Sequence, residues 1–370
     1  MQSQFIFIEI VVKRSIKRVI YSIFVCSKMK FSVFCRKKYD MTKLMILASL
    51  VLGLVLAVIP HVLWVITWIC SKCFHFSVSY ASFGISALVL VVLLWLILAY
   101  GFFIGRFRLD VNHIEYANKD IPQSFDGYKI VHISDLHLST FDDRPSELQK
   151  FVDSINAQNP DLICFTGDLV TIGVSEAEPY TSILRGLRAT DGVVSVLGNH
   201  DFLIYARNFN SVTERENAVI QLAEYEKNEL NWNLLRNENY VVQRGDDKIT
   251  IVGVDNQCSS NQGFRTISRG DLPRAVQGTD GFRILLTHDP SHWRGEVLPK
   301  TDIPLTLSGH THAAQIKLFG KTPASLSFIE TDGLYTEGDQ SLYINVGLGC
   351  TLPVRIGANA EITVVTLHQK

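Results

Sequence analysis

The seven cysteines build no disulfide framework, because the number is odd and no regular spacing links them. That excludes a small bridge-stapled secreted scaffold. Cys70 and Cys73 form a C-x-x-C with His75 nearby, but no second C-x-x-C completes a zinc site. Cys164 stands in an apolar run where any small apolar residue would serve. Net charge is also nearly absent, with 35 Lys and Arg against 36 Asp and Glu, so overall electrostatics names no partner. Internal repeats and low-complexity segments are missing as well. At 370 residues the chain can hold one large catalytic domain plus an extra module.

Charge balance hides an uneven distribution. Between Lys13 and Lys43 basic residues recur against a single acid, Asp40. A nucleic-acid-binding arm has the same composition, but a basic stretch just before an apolar run reads as a topology signal, and no nucleic acid is expected as partner. Residues 44–70 and 79–104 then carry no charged side chain. Each exceeds the roughly 20 residues that cross a hydrocarbon core, and both are too long and uniform for buried core helices. They are read as a transmembrane hairpin with its connection at residues 71–78. Pro60 should kink the first helix, with His61 reaching toward the second. A signal peptide fits poorly, because no small-residue cleavage pattern precedes residue 71. Only Lys72 lies in the connection, whereas Arg106 and Arg108 follow the second run. Positive charge stays inside, so the expected protein is a multi-pass cell-membrane protein with a cytoplasmic catalytic domain. The expected parts are a basic segment 1–43, two membrane helices within 44–104 and a catalytic domain 109–370. Met41-Thr42-Lys43 would make a natural translation start.

Downstream, apolar β-branched runs end repeatedly in short polar clusters. These are Asp135-Leu136-His137, Gly167-Asp168, Gly198-Asn199-His200-Asp201, Thr287-His288-Asp289 and Gly309-His310-Thr311-His312. Any one alone reads as turn residues. Buried strands ending in such loops, however, line them along one sheet edge and bring distant oxygen and imidazole donors together. Residues 145–158 predict a helix whose Leu148, Phe151, Val152 and Ile155 share one face, completing a β-α-β unit. Residues 213–237 predict a second helix opened by a capping box at Thr213-Glu214-Arg215-Glu216. Strands are expected at Tyr240–Gln243, Ile249–Val254, Ile284–Thr287, Leu342–Val346 and Ile362–Leu367. The expected fold is α/β: two facing mixed sheets flanked by helices, preceded by the transmembrane hairpin.

The ordered set of clusters resembles the calcineurin-like metallophosphoesterase superfamily. The flanking segments "HISDLHLS", "TGDLV", "LGNHDF", "LTHDP" and "LSGHTHAAQ" are most similar to its membrane-associated bacterial phosphodiesterase branch. The resemblance covers residues 109–370 and departs at Ala313-Ala314, where that branch often has two glycines. It implies two divalent ions, of which manganese, iron or zinc suit mixed imidazole and carboxylate donors. Asp135, His137 and His312 would hold one ion, and Asn199, His288 and His310 the other, with Asp168 shared. Alternating His310 and His312 on an extended segment share one face, so each can reach a different ion. Gly198 and Gly309 would let the backbone come close.

Such a pair neutralises phosphoryl oxygens and lowers the pKa of a bridging water to give hydroxide. His200 would be the catalytic residue, stabilising the phosphoryl oxygen or protonating the leaving oxygen. Asp201 and Asp289 would orient imidazoles. The function implied is a membrane-anchored, two-metal phosphoesterase, most simply a phosphodiesterase, acting on a phosphoester for which a lipid-linked compound is the attractive candidate. The alternatives are a catalytically weak metal-binding scaffold that docks partners at the membrane, and a structural membrane protein with a soluble cap.

Overall fold

A computed structural model describes residues 41–370 apart from Asp143 and Asn208. Most of the basic segment 1–43 therefore lies outside the described residues, and so does everything upstream of Met41. The chain divides into two units, Met1–Val55 and Leu56–Lys370. Helix α1 spans Met41–Phe74 and runs on through Pro60, and α2 spans Tyr80–Phe103. Ser79 caps α2 by accepting from Ala81 N. The His61 ring meets Tyr80 edge-on at 5.7 Å, and Trp64 meets the same ring at 5.1 Å. Apolar side chains point outward along both helices, with Ile85, Leu88 and Leu96 more than half exposed. Neither helix is the buried core of a soluble fold.

Two six-stranded mixed sheets follow. The first holds β1 (Leu109–Asn118), β2 (Lys129–Ile133), β3 (Leu162–Phe165), β4 (Val193–Ser195), β5 (Asn233–Leu234) and β12 (Ala360–Gln369), in the order β1-β12-β2-β3-β4-β5. The second holds β6 (Glu238–Arg244), β7 (Asp247–Gly253), β8 (Arg283–Leu286), β9 (Leu305–Ser308), β10 (Gly333–Glu337) and β11 (Gln340–Ile344), in the order β10-β11-β9-β8-β7-β6. Strands β2 to β5 run parallel, as do β7, β8, β9 and β11.

Side-chain alternation along these strands builds three apolar layers. Ile130, Cys164 and Val194 face Ile251, Ile284 and Leu307 between the sheets. Val131, Ile133 and Ile163 face the outer helices, and Val252, Leu285 and Trp293 cover the far side of the second sheet. Helix α3 (Pro145–Asn156) buries Leu148, Phe151, Val152 and Ile155, the face its spacing predicts.

The expected second helix is shorter than its apolar pattern suggests. Helix α4 covers Val212–Glu224 and gives way to a π-turn at Tyr225–Glu229. Asn231, with φ +57°, then turns the chain into β5. The helix also starts earlier than expected. Ser211 is the cap, accepting from Glu214 N at 3.0 Å, while Glu214 accepts from Asn210 N. The box is shifted by two residues because Ser211, unlike Thr213, stands in extended backbone.

Candidate metal centre

Each candidate donor sits just past the C-terminal end of a parallel strand. Asp135 and His137 follow β2, Asp168 follows β3, Asn199 and His200 follow β4, His288 follows β8, and His310 and His312 follow β9. The loops are laced together by backbone bonds, including Asp135 N to Gly167 O, His137 N to Asp168 O and Gly309 N to His288 O. Asp135, His137, Asp168, His310 and His312 all have positive φ. Non-glycine residues rarely adopt that conformation, and here it turns the donors inward at the cost of local strain. Gly198 and Gly309 permit the approach, since a β-carbon at Gly198 would collide with Asp168 Oδ1 and one at Gly309 with Asp135 Oδ2.

The donors fall into trios: Asp135, His137 and His312; Asp168, His288 and His310; and His137, Asp168 and His200. Between the halves lies Asp168 Oδ2, 3.5 Å from His137 Nε2 and 3.2 Å from His288 Nε2. His312 Nε2 is 3.3 Å from Asp135 Oδ1 and 3.2 Å from His137 Nε2. His310 Nδ1 lies 3.1 Å from His288 Nε2. Asn199 turns its amide oxygen toward His288 Nε2 at 3.0 Å and donates its nitrogen to Tyr205 Oη. The third trio was not expected, because it places a His200 ring nitrogen within 4.8 Å of both the Asp168 carboxylate and a His137 nitrogen.

The residues fit a pair of cations. Asp135 Oδ1 is fully buried and accepts no hydrogen bond, although it lies within 4.0 Å of three imidazole nitrogens. A buried carboxylate oxygen without a partner is costly, and a divalent ion would satisfy it. Protons show the same demand. Burial alone would raise the Asp168 carboxyl, but His288, His200 and His137 outweigh it and hold Asp168 well below the usual range. Burial likewise opposes charge on His288, yet Asp168 and Asp135 push its proton affinity up. His137 and His312 are held neutral, chiefly by burial, with His200 and Arg355 respectively adding to it. Mixed carboxylate, amide and neutral imidazole donors suit borderline divalent ions.

The groups that orient these donors are largely ones the motifs do not announce. His288 Nδ1 faces Thr166 O at 2.7 Å, which leaves Nε2 for the centre. His310 Nε2 faces Gln262 Oε1 at 3.0 Å, and Gln262 donates to Asp289 at 2.6 Å, so Asp289 acts on the imidazole through an amide. Asp201 does not orient an imidazole. Its carboxylate accepts from the backbone amides of Asp168, Gly198 and Val170, tying two loops together. Arg355 is fully buried beside His312 Nδ1 and donates to the carbonyls of Val346, Gly347 and Gly349. Ala313 and Ala314 both have φ +49°, a conformation that explains glycine at these positions in similar chains.

The calcineurin-like phosphoesterase profile matches residues 128–314. The Bacillus subtilis metallophosphoesterase YkuE is 35% identical over 257 residues, spanning 67% of this chain and 81% of that protein. A Danio rerio transmembrane protein with metallophosphoesterase domain is 30% identical over 304 residues, spanning 79% of this chain and 65% of that protein. Among solved structures, TT1561 of Thermus thermophilus aligns with TM-score 0.38 and 14% identity, covering 60% of this chain and 90% of that one. The chain belongs to the calcineurin-like phosphoesterase family. It is a metal-dependent phosphoric ester hydrolase.

Proposed function

We propose that the protein is a membrane-anchored, two-metal phosphodiesterase whose catalytic domain, residues 109–370, works on the cytoplasmic face on a lipid-linked phosphoester. The observation that carries the catalytic part is Asp168 Oδ2 standing between two imidazole sets while Asp135 Oδ1 is buried without a partner. Asp135, His137 and His312 would hold one ion, Asn199, His288 and His310 the other, and Asp168 both. When bound, the ions neutralise phosphoryl oxygens and lower the pKa of a water that attacks phosphorus. Asn199 contributes a neutral oxygen, which limits the negative charge met by an anionic ester. Tyr205 and Gln262 fix the orientations of Asn199 and His310.

His200 is assigned the leaving group. Its Nδ1 lies 3.0 Å from Thr171 O, and a carbonyl only accepts, so that nitrogen carries the hydrogen and Nε2 remains for the substrate. A proton held at Nε2 would pass to the departing alkoxide oxygen. The His200 ring packs edge-on against His137 at 4.8 Å and at a 37° tilt against Tyr205 at 4.4 Å, which limits its swing.

The membrane part rests on α1 and α2, which are long and apolar enough to cross a bilayer twice, and on the similarity to a transmembrane relative. Basic residues before Leu44 and after Phe103, set against Lys72 alone between the helices, support the cytoplasmic orientation. Anchoring keeps the centre beside lipid head groups, which supports a lipid-linked substrate.

The full chain in detergent, stripped with chelator, should hydrolyse bis-p-nitrophenyl phosphate only after manganese is restored, and Asp168→Asn should abolish that recovery. Metal retention without turnover would favour the scaffold alternative. His200→Ala should slow an alkyl phosphodiester by about 10²–10⁴-fold with metal content retained. Loss of an ion in that variant would instead make His200 a ligand, as the third trio allows.

A further inference from the structure

We infer that residues 316–329 form a lip that inserts into the bilayer beside α2 and passes a lipid-borne phosphoester to the His310 side of the centre. The inference rests on the membrane-anchor reading above. Leu318, Phe319, Leu326 and Ile329 are large apolar side chains on this one loop, and all are exposed, Phe319 completely and Leu326 at 89%. Exposed apolar groups scattered singly need no explanation, but several on one short loop do.

The backbone adds an independent sign. Leu318 and Lys321 exchange both N–H to O bonds, which makes a tight two-residue turn with Phe319 at φ +52° and Gly320 at φ +76°. Such turns favour Asn or Gly at the first position. A bulky aromatic side chain there is strained, and it is held out into the surroundings with nothing packed on it.

The position of the loop names its surroundings. Gly101, in the last turn of α2, accepts from Arg355 N at 3.2 Å, and a β-carbon on Gly101 would touch Ile356. The next residue along, Ile356, donates to Gln315 O and accepts from Lys317 N, both at 2.9 Å. The apolar turn therefore begins one residue beyond the Ile356–Lys317 backbone pair, and Arg355, next to Ile356 in the chain, is bonded to the end of the membrane helix. Two residues of extended chain reach about 7 Å, so Phe319 stands close to the level at which α2 leaves the bilayer. Side chains at that level can enter the head-group and acyl boundary.

Residues 313–329 carry Lys317 and Lys321 and no acid, which suits an anionic lipid surface. Lys317 pairs with Asp332 at the base of the loop, and Lys321 is exposed at the tip. The other end of the loop reaches the centre, where the Phe328 ring meets His310 at 5.5 Å and Phe264 at 6.5 Å. One loop thus joins the membrane level to a metal-centre histidine along an apolar path. A phosphoester whose hydrocarbon tail stays in the bilayer fits that path.

The test uses the full chain in vesicles of phosphatidylcholine and phosphatidylglycerol. An environment-sensitive fluorescent amino acid is placed by codon suppression at position 319, 326, 241 or 93. Nitroxide-bearing lipids should quench the labels at 319 and 326, with a blue shift, and should leave the label at 241 (on β6) unchanged. Quenching at 93, in the middle of α2, with none at 319 or 326 would overturn the lip and keep the anchor. No quenching at 93 would overturn the anchor reading itself. A blue shift at 319 without lipid quenching would mean that protein, such as a second copy, covers the loop, and it also overturns the inference. Turnover of hexadecyl p-nitrophenyl phosphate relative to bis-p-nitrophenyl phosphate should fall in the double variant Phe319→Asp, Leu326→Asp. An unchanged ratio would refute passage of the tail along the lip.

Discussion

Replacing Gly198 by Ala tests the closest approach of a glycine to a donor side chain in the candidate metal centre. The added β-carbon would overlap Asp168 Oδ1 and stand 2.7 Å from Asp168 N and 2.8 Å from Asp168 Cγ. Gly198 does not have the left-handed φ that disfavours Ala, so the clash is isolated from backbone strain. Ordinary contact begins at 3.4 Å, so Asp168 N and Cγ must move away by about 0.6–0.7 Å and Oδ1 by about 1.2 Å. Asp168 N and Gly198 N both donate to Asp201 Oδ2, at 2.7 and 2.9 Å, so neither backbone can retreat freely. The displacement passes to the carboxylate. Ligand distances tolerate only about 0.2 Å, and a misplacement near 1 Å costs on the order of 10²-fold in rate. Overpacking should also cost about 1–3 kcal/mol of stability. Gly198→Ala should therefore fold, carry fewer divalent ions after chelator-free purification and hydrolyse bis-p-nitrophenyl phosphate about 10²-fold more slowly. Elemental analysis, a denaturation curve and initial rates with manganese measure the three effects. Gly173→Ala is the control, since Gly173 is extended at φ 170° and its β-carbon would meet only Ser175 Oγ at 3.9 Å. A Gly198→Ala protein with the parent's metal content and rate would refute the reasoning.

Burial opposes a proton on His288, but Asp168 and Asp135 push its proton affinity up, whereas an ion held there would need its neutral ring. Metal loading at pH 7 should therefore release about one proton and tighten as pH rises; calorimetric heats independent of buffer ionisation would contradict this. Ala314→Gly should stabilise the fold by about 0.5–1 kcal/mol, because left-handed Ala costs about 1–2 kcal/mol and the flexibility of Gly in the unfolded chain returns part of that. Ala314 is exposed, so little packing is lost, and an unchanged or lower denaturation midpoint would count against the strain. Protease added to sealed, right-side-out cells should leave residues 109–370 intact, and cleavage there would reverse the orientation.

Elements with a single periodicity were readable from the chain. The apolar face of α3 follows from Leu148, Phe151, Val152 and Ile155, and the donor clusters follow from short apolar runs that stop abruptly. Strand β1 was not readable, and its side chains show why. Leu109 and Val111 pack on the helix-facing layer, while Ile114 and Tyr116 pack between the sheets. The backbone register is unbroken, but the apolar residues pass from the odd-numbered face to the even-numbered face around His113, so no single face marks the strand. Its partner, β12, lies at the far end of the chain, where local pattern carries no information about pairing. The end of α4 was hidden for a related reason. The π-turn buries Glu226, a carboxyl that hydrogen-bonds Ser195 at 2.7 Å, and a charged residue inside a helical pattern reads as solvent-facing.

The same distinction runs through the metal centre. The candidate donors could be picked out because metal chemistry restricts residue type, so Asp, Asn and His recur at strand ends whatever their spacing in the chain, and the fold brings Asp135, His137, Asp168, His288, His310 and His312 together. The residues that aim those donors are under no such restriction. Gln262 acts on His310 from 48 residues away, and Arg355 borders His312 from 43 away, each through one contact that many residue types could make in another fold. Tyr205 lies only six residues from Asn199, yet its hydroxyl reaches the amide because the Arg265 carbonyl fixes it from the far side. Orientation is a three-body property here, consisting of donor, aiming group and the backbone that holds the aiming group. Only the first of these leaves a type signature in sequence. Substituting Tyr205, Gln262 or Arg355 should therefore disturb ion geometry while leaving every donor in place.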